Sequence, residues 1–461
     1  MRTKILIVIF LTIVLINCKR NEKSPDYAIL KGKIENSLGG TFTLMNLSGF
    51  EQTFNVKEDG KFLDTLELSD GIYYASYEKQ RMPIYIGASG KVEIYANSNN
   101  LKGTLKFEGD NASLNNYYVS KSQLIEDFEG KVRSYYSLEE AAFLNSIDSL
   151  KQVMNLKFAE LDSLPEGLKK LEKNAIDYYL QKILADYPRN YTRITKNEYE
   201  PSESFTNQIK EETEHNAADF FYSMDYNTKL FIDLLRNASK ISRQDSTLSQ
   251  RQAEFKILSE FKNDTIRESL LARITKMNLG FIKEDKKTYY EEYMSLSKDA
   301  KQQKEVTNYY EAFRLLEPGK PSPKFENYVN YNGGTTSLSD LKGKYVYIDV
   351  WATWCSPCKA EIPHLEEIEK TYHGKNIEFV SISVDSKSDK KVWEDMIAEK
   401  KMGGIQLFAD NAFKSQFVKD YQIQGIPRFI LLDTQGNIIQ DLAPRPSEKE
   451  KLTALLNTLN L

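Results

Sequence analysis

Two cysteines separated by two residues follow an apolar segment and precede a sequence typical of a helix start. Cys355 and Cys358 come shortly after the β-rich run at residues 345–351, and Pro357 lies between them. A thiolate at a helix N-terminus meets unpaired N–H groups and the positive end of the helix dipole, so its pKa falls. Pro357 falls in the first helical turn, where its missing N–H costs little. Because the thiolate is the reactive form of cysteine, this arrangement favours thiol–disulfide chemistry.

The surrounding residues disfavour three other uses of this cysteine pair. A peroxiredoxin would need proline and threonine where the chain has Ile348 and Ala352. A zinc site would need a second ligand pair, and His364 falls on the same predicted helix, so we expect no metal. His364 and His373 are predicted to be surface residues. A purely structural disulfide is disfavoured because both thiols lie at a helix start.

Length and composition indicate what kind of protein carries this cysteine pair. The 461 residues suggest about three domains. Lys plus Arg is 62 and Asp plus Glu is 66, a net charge of −4, which argues against a nucleic-acid partner. With 41% hydrophobic and 12% aromatic residues, the chain can build buried cores, and disorder of the whole chain is not expected.

The first residues have the pattern of a targeting signal. Arg2 and Lys4 precede an apolar run at residues 5–16, which is too short to span a bilayer but suits a secretory signal. The run closes with Leu15-Ile16-Asn17-Cys18, which resembles the lipobox of bacterial lipoproteins. This resemblance implies a signal peptide at 1–17, a lipidated Cys18 with a tether at 18–26, and a protein of the cell envelope that faces the periplasm.

The outer membrane is favoured as the anchoring membrane, because Lys19 stands where the inner-membrane retention signal has aspartate. An ordinary signal peptide and an uncleaved anchor with a chance cysteine are the alternatives.

Residues 27–112 alternate between apolar and polar side chains in short runs separated by turn signals such as Asp59-Gly60 and Asp70-Gly71. Asp-Gly between alternating runs is a strong hairpin signal. About eight such runs predict an antiparallel β-sandwich or small barrel. The zone resembles an uncharacterised β-domain that precedes thioredoxin-like domains in lipoproteins of the Bacteroidota.

Residues 113–316 contain few prolines and glycines, and their apolar residues recur at helical spacing, so we expect a central all-α domain. Tyrosine pairs such as Tyr117-Tyr118 and Tyr178-Tyr179 are interpreted as helix packing rather than as the lining of a groove. Residues 317–323 hold three prolines, which cannot continue a helix and predict a stiff linker.

Residues 318–461 resemble the thioredoxin-fold domains of the TlpA/ResA type, which are membrane-anchored, extracytoplasmic thiol–disulfide oxidoreductases. The resemblance is carried by Trp-Cys-x-Pro-Cys at 354–358, by Pro363, which matches a helix-kinking proline, and by Ile426-Pro427, which matches the family's cis-proline loop. It implies an α/β thioredoxin fold over 324–461 and hence a multidomain chain.

The resemblance also implies roles for individual residues. Cys355 matches the exposed nucleophile and Cys358 the buried thiol that resolves the mixed disulfide. Asp349 matches a buried carboxylate; its pKa should be raised in an apolar strand, so that it can exchange a proton with Cys358. Glu361 matches an acidic residue of the ResA-like branch. The implied substrate-binding residues are Trp354, Pro357, Ile426 and Pro427.

Three plainer interpretations stay open. Asp349 can be a strand-end carboxylate bonded to backbone, Glu361 a first-turn acid that complements the helix dipole, and Pro427 an ordinary turn proline.

The sequence thus predicts an anchored enzyme that reduces or exchanges disulfides of exported proteins. We expect no cofactor apart from the redox-active disulfide Cys355–Cys358. A membrane thiol donor would reduce this disulfide again after each reaction. The resemblance favours reduction over oxidation. The alternative is an envelope binding lipoprotein in which the β and helical domains grip a partner and the redox activity is accessory.

Overall fold

A computed structural model describes residues 27–37, 39–77, 80–161, 164–210, 214–282 and 285–461. The predicted signal peptide, the tether and the lipidated Cys18 lie outside these residues and stay predictions. Among the described residues, no helix combines the length and the hydrophobicity that a membrane span requires.

The first part of the described chain is β-rich. Its elements are β1 (Ala28–Glu35), β2 (Gly40–Met45), β3 (Glu51–Val56), β4 (Lys61–Leu66), β5 (Gly71–Tyr77), β6 (Gln80–Ile86), β7 (Lys91–Asn97), the short helix α1 (Leu101–Thr104) and β8 (Lys106–Gly109). They form two four-stranded sheets, with orders β4-β1-β7-β8 and β3-β2-β5-β6. Residues of both sheets, such as Leu30 and Phe42, share one core, as predicted for a sandwich.

One strand pair differs from the antiparallel prediction. β1 and β7 run parallel, with Gly32 opposite Ile94. Gly32 allows this close approach, because a Cβ at that position would lie 1.9 Å from the carbonyl oxygen of Ile94.

The middle of the chain is helical, as predicted. Its helices are α2 (Ala112–Gly130), α3 (Val132–Tyr135), α4 (Glu140–Ala159), α5 (Glu166–Thr195), α6 (Glu203–Thr206), α7 (Ala217–Tyr222), α8 (Met224–Gln244), α9 (Gln250–Ser259), α10 (Asp264–Leu279), α11 (Lys286–Leu296) and α12 (Ala300–Arg314). Their tyrosines are mostly buried; Tyr117, Tyr118 and Tyr179 are less than 9% exposed, which fits the helix-packing interpretation.

A buried polar cluster lies within this helical part. Glu172 on α5 is 0% exposed and accepts hydrogen bonds from Tyr117 (2.7 Å), Tyr222 (2.8 Å) and Lys121 (2.6 Å). The Lys121 ammonium neutralises the carboxylate, and the two hydroxyl groups satisfy further lone pairs. A carboxylate can remain inside a protein core only with such compensation.

The last part of the chain is α/β. Its elements are β9 (Tyr328–Asn330), β10 (Thr335–Thr336), β11 (Tyr345–Trp351), α13 (Ser356–Thr371), β12 (Ile377–Ser383), α14 (Lys390–Lys400), β13 (Ile405–Phe408), α15 (Gln416–Asp420), β14 (Arg428–Leu432), β15 (Ile438–Gln440) and α16 (Lys449–Leu456). The strands form a mixed sheet with the order β10-β9-β13-β12-β11-β14-β15. β11 is central, which explains its continuous apolar sequence.

The chain forms two compact units. Unit 1 ends at Leu230 and unit 2 begins at Phe231. This division differs from the predicted boundary at residues 317–323, since helices α9–α12 fall in the same unit as the α/β fold.

The proline-rich segment before the α/β fold is hydrogen-bonded to β15. Gly319 N–H donates to the carbonyl of Ile438 (2.8 Å), Ile438 N–H to that of Lys320 (2.8 Å), and Ser322 N–H to that of Gly436 (3.0 Å). The segment therefore extends the edge of the sheet, where a residue without an N–H is tolerated.

Candidate active site

The two cysteines lie where the central strand meets α13. β11 ends at Trp351, and Cys355 is the N-cap residue of α13. The N–H of Cys358 points at the sulfur of Cys355, with an N···Sγ distance of 3.1 Å. This N–H is one of the unpaired donors of the first helical turn, so it would stabilise negative charge on Cys355 after reduction.

Cys355 and Cys358 are joined by a disulfide, with their Cα atoms 5.3 Å apart. Both side chains are buried, Cys355 at 4% and Cys358 at 3% exposure. The prediction that Cys355 is exposed is therefore wrong for this disulfide form, because its sulfur is bonded to Cys358 and lies against the loop before β14.

That loop contains the predicted cis-proline. The Ile426–Pro427 peptide bond is cis, and the carbonyl oxygen of Ile426 lies 3.7 Å from the Cys355 sulfur. The fold thus brings residues 355 and 426, far apart in the sequence, into contact. The plain-turn interpretation of Pro427 does not account for this contact.

Asp349 is a buried carboxyl group on β11, 5% exposed. Asp349 and Tyr347 are two residues apart on β11, so their side chains point to the same face of the sheet. Tyr347 packs in one core with Leu365 of α13, and Asp349 therefore faces the helix that bears the cysteines. Burial, followed by the negative charges of Glu361 and Glu369, raises the pKa of Asp349 to about 8. The Ser381 hydroxyl on β12 acts in the opposite direction.

The Oδ1 atom of Asp349 has no hydrogen-bond partner among the residues that the structure describes. This geometry does not fit the strand-end interpretation, in which backbone groups would hold the carboxylate. A carboxyl group whose pKa lies near neutral pH can deliver its proton during thiol chemistry or, in its ionised form, accept one.

Glu361 lies one turn after Cys358 on the same helix and is 7% exposed. Its carboxylate accepts hydrogen bonds from the N–H (2.9 Å) and the hydroxyl (2.8 Å) of Ser447. Since α13 has no acidic residue in its first turn, the interpretation of Glu361 as a first-turn acid is wrong. Its position makes it an electrostatic neighbour of Asp349.

The loop between β11 and α13 is held by a second buried carboxylate. Asp385 is 0% exposed and accepts hydrogen bonds from Thr353 N–H (2.9 Å), the Thr353 hydroxyl (2.8 Å) and the Ser383 hydroxyl (2.7 Å). Trp354 follows Thr353 and is 58% exposed, with its ring 6.1 Å from that of Phe413. The loop therefore presents an aromatic side chain to solvent beside the disulfide.

Pro357 is also exposed beside the cysteines, as are His364 and His373, which confirms that both histidines are surface residues. Among the described residues, no group of three or more His, Cys, Asp or Glu side chains could hold a metal ion.

The sequence reasoning missed three residues of this site: Asp385, Ser447 and Arg428. Asp385 directly follows the apolar run that ends β12, which is a usable signal. Arg428 interrupts the apolar run that continues to Leu432 and directly follows Pro427, which is a second signal. Ser447 lies in a polar stretch, and nothing local marks it as a partner of Glu361.

Comparisons with known proteins find similarity in this part of the chain. The model of the Redoxin family matches residues 317–456. Thiol-disulfide oxidoreductase ResA of Bacillus cereus is 28% identical over 154 residues, which cover 33% of this chain and 83% of the relative. Thioredoxin-like protein YneN of Bacillus subtilis is 29% identical over 150 residues, which cover 31% of this chain and 80% of the relative.

Among solved structures, the thioredoxin domain of a thiol-disulfide oxidoreductase from Bacteroides vulgatus is 27% identical, with a TM-score of 0.29; the match covers 32% of this chain and 99% of that one. The family match at residues 317–456 includes the cysteine pair at the start of α13. Residues 317–456 therefore match the Redoxin family, and this similarity together with the Cys355–Cys358 disulfide identifies a thiol–disulfide oxidoreductase whose C-terminal domain has a thioredoxin fold.

Proposed function

We propose that this protein is a lipid-anchored oxidoreductase of the cell envelope that reduces or exchanges disulfides of exported proteins. The observation that carries the redox part is the Cys355–Cys358 disulfide at the start of α13, with the carbonyl of Ile426 against it. The signal pattern that ends at Cys18 supports the envelope location and the lipid anchor, with the outer membrane favoured.

The proposed reaction begins with the reduced protein. The Cys355 thiolate attacks one sulfur of a client disulfide, which forms a mixed disulfide and releases one client thiolate. Cys358 then loses its proton, and its thiolate attacks the Cys355 sulfur. This step restores the intramolecular disulfide and releases the second client thiolate, so the client gains two electrons.

The ionised form of Asp349 is the proposed acceptor of the Cys358 proton. Its pKa of about 8 lies close to that of an ordinary thiol, so transfer between the two groups is nearly balanced. In this proposal, a membrane thiol donor then returns two electrons to the disulfide, so that a new cycle can begin. The backbone around Ile426 and Pro427 would pair with the client chain, and Trp354 and Pro357 would contact it.

Insulin-disulfide reduction with dithiothreitol as donor tests the redox proposal. We expect activity from the wild type, none from Cys355→Ser, and trapped mixed disulfides from Cys358→Ser in cells. Reduction by Cys355→Ser at the wild-type rate, or no reduction by the wild type with any donor, would contradict the proposal. Labelling of Cys18 by a radioactive fatty acid, absent in Cys18→Ala, tests the anchor.

A second candidate role is binding of an envelope partner by the regions before the redox domain. One observation favours it: unit 1 contains a cavity of about 190 Å³ whose wall includes Tyr74, Tyr118, Tyr179 and Tyr222. Aromatic rings beside charged groups are common in binding pockets. This role predicts that the Cys355→Ser/Cys358→Ser double variant retains a partner in a pull-down from cells. Loss of all partners in that variant would count against it.

A further inference from the structure

Arg428 is a buried cation directly beside the cis-proline. It follows Pro427 and begins β14, a strand whose five residues are all buried. Arg428 itself is 4% exposed. A guanidinium group in such a place destabilises the fold unless its donors find acceptors in the right geometry.

Two segments supply those acceptors. Nε donates to the carbonyl of Asp441 (2.9 Å), and Nη2 lies 3.3 Å from the Asp441 carboxylate. Nη1 donates to the carbonyl of Gly280 (2.8 Å), which follows the last residue of α10. One side chain therefore joins the cis-proline loop, the segment after β15 and the end of a helix 148 residues earlier.

The helical side of this contact is itself well supported. A Cβ on Gly280 would contact the hydroxyl of Tyr309 at 3.9 Å and the ring of Phe313 at 4.0 Å, both on α12. Lys286, the first residue of α11, lies 3.6 Å from the Asp441 carboxylate and 5.4 Å from the Phe313 ring centroid. Three helices thus converge on the acceptors and neighbours of Arg428.

The loop that Arg428 anchors is the one against the disulfide. Ile426, whose carbonyl is 3.7 Å from the Cys355 sulfur, is only two residues before Arg428. Because these residues are connected by two peptide bonds, one of them to a ring-restricted proline, displacement of Arg428 moves the backbone of Ile426 and Pro427.

We infer that Arg428 is a positioning residue through which helices α10–α12 hold the client-binding loop, so that these helices set the affinity for polypeptide clients. The inference rests on the proposed function, in which the loop backbone pairs with the client. It gives the helices of unit 2 a role in substrate recognition.

Two substrates separate positioning from a general structural role. A disulfide-bonded polypeptide such as insulin needs the loop backbone, whereas hydroxyethyl disulfide has no peptide group to pair with it. In the full-length chain, we expect Arg428→Met to raise KM for insulin about tenfold, the loss expected for a hydrogen bond to a charged group. We expect kcat for insulin, and kcat/KM for hydroxyethyl disulfide, to stay within about twofold of the wild type.

Arg428→Lys keeps the charge and should recover part of the affinity. Asp441→Asn, which keeps the backbone carbonyl, should give a smaller increase in KM for insulin. This variant replaces Arg428→Met as the test if Arg428→Met does not fold. Arg314→Met is the matched control, because the Arg314 side chain is 55% exposed and pairs with Glu311 one turn earlier on α12. This variant should leave the kinetics of both substrates unchanged. Equal losses on both substrates, or unchanged KM for insulin, would overturn the inference.

Hydrogen exchange gives a readout that does not depend on catalysis. Arg428→Met should speed exchange in a peptide covering residues 423–431, and Arg314→Met should not. Unchanged exchange in Arg428→Met would overturn the coupling even if the enzyme is active. If the wild type reduces neither substrate, the proposed function fails, while the exchange result still decides whether Arg428 holds the loop.

Discussion

Thr353 and Asp385 are joined by two hydrogen bonds, one from the Thr353 N–H and one from its hydroxyl, at 2.9 and 2.8 Å. Thr353 belongs to the loop that leads to the cysteines, and Asp385 follows β12. The pair therefore fixes the approach to Cys355 from a neighbouring strand, and it does so with a carboxylate that is fully shielded from water.

Asp385→Ala removes the acceptor of three donors and leaves an N–H and two hydroxyl groups buried without it. Each such group costs about 1–3 kcal/mol, so we expect a clear loss of stability and faster hydrogen exchange at Thr353. Asp385→Asn, which retains one acceptor oxygen, should be milder. Exchange at Thr353 that is unchanged in Asp385→Ala would show that the pair does not hold the loop.

Asp349→Asn should stabilise the oxidised protein, and more so as the pH rises. With a pKa of about 8, the folded protein keeps a proton that the unfolded chain releases near pH 4, so stability falls between these pH values. The asparagine has no such dependence, and we expect its stabilising effect to be about 5 kcal/mol greater at pH 8 than at pH 4.

Denaturation followed by tryptophan fluorescence measures this effect, because all three tryptophans of the chain, 351, 354 and 393, lie in the C-terminal domain. The control is Asp395→Asn, because the Asp395 side chain is 63% exposed on α14. Its free energy of unfolding relative to the wild type should not increase with pH. A pH-independent effect of Asp349→Asn would contradict the raised pKa.

Glu361→Gln should lower the pKa of Asp349. The negative charge of Glu361 is the largest contribution to the raised pKa of Asp349 after burial, and the substitution removes that charge while keeping an acceptor for Ser447. An infrared or NMR titration of the Asp349 carboxyl group should show its midpoint move from about 8 toward lower pH. Glu367→Gln, on an exposed position of the same helix, is the control; equal shifts in both variants would exclude a local effect.

Lys121→Met should destabilise unit 1. The substitution leaves Glu172, with 1% side-chain exposure, without a cation, and breaking a buried pair in this way costs about 3–5 kcal/mol. Replacing both residues, Lys121→Met with Glu172→Gln, should restore much of that loss. A thermal unfolding series of the two single variants and the double variant checks this; additive losses would mean that the two side chains are not coupled.

Trp354→Ala should weaken client binding with little change in stability. The side chain is 58% exposed, so its removal costs little folding free energy, but it takes away an aromatic surface next to the disulfide. We expect a higher KM for insulin with a similar melting temperature. Val392→Ala, at an exposed position of α14 (51%), is the control and should leave KM unchanged.

The local parts of this site could be predicted from the sequence. Cys355, Cys358 and the helix they begin are neighbours along the chain, so spacing alone indicates their arrangement. The cis-proline at 427 follows from a motif of adjacent residues. The alternation of residues 27–112 likewise predicts strands, because the side-chain period reflects burial on one face of each sheet.

The long-range parts could not be predicted in this way. Arg428 meets Gly280, and Glu361 meets Ser447, only after the intervening elements have packed, and a single sequence carries no record of such pairs. The burial of Cys355 depends on its disulfide and on the Ile426 loop together. The parallel pairing of β1 with β7 depends on strand order, which periodicity does not report.

The hydrogen bonds of residues 319–322 with β15 and the turn before it affect any attempt to isolate the redox domain. A fragment that begins at residue 324 would leave β15 with open backbone donors and acceptors. Bare strand edges recruit strands from other molecules, so such a fragment should self-associate, whereas one that begins before Gly319 should stay monomeric in sedimentation experiments.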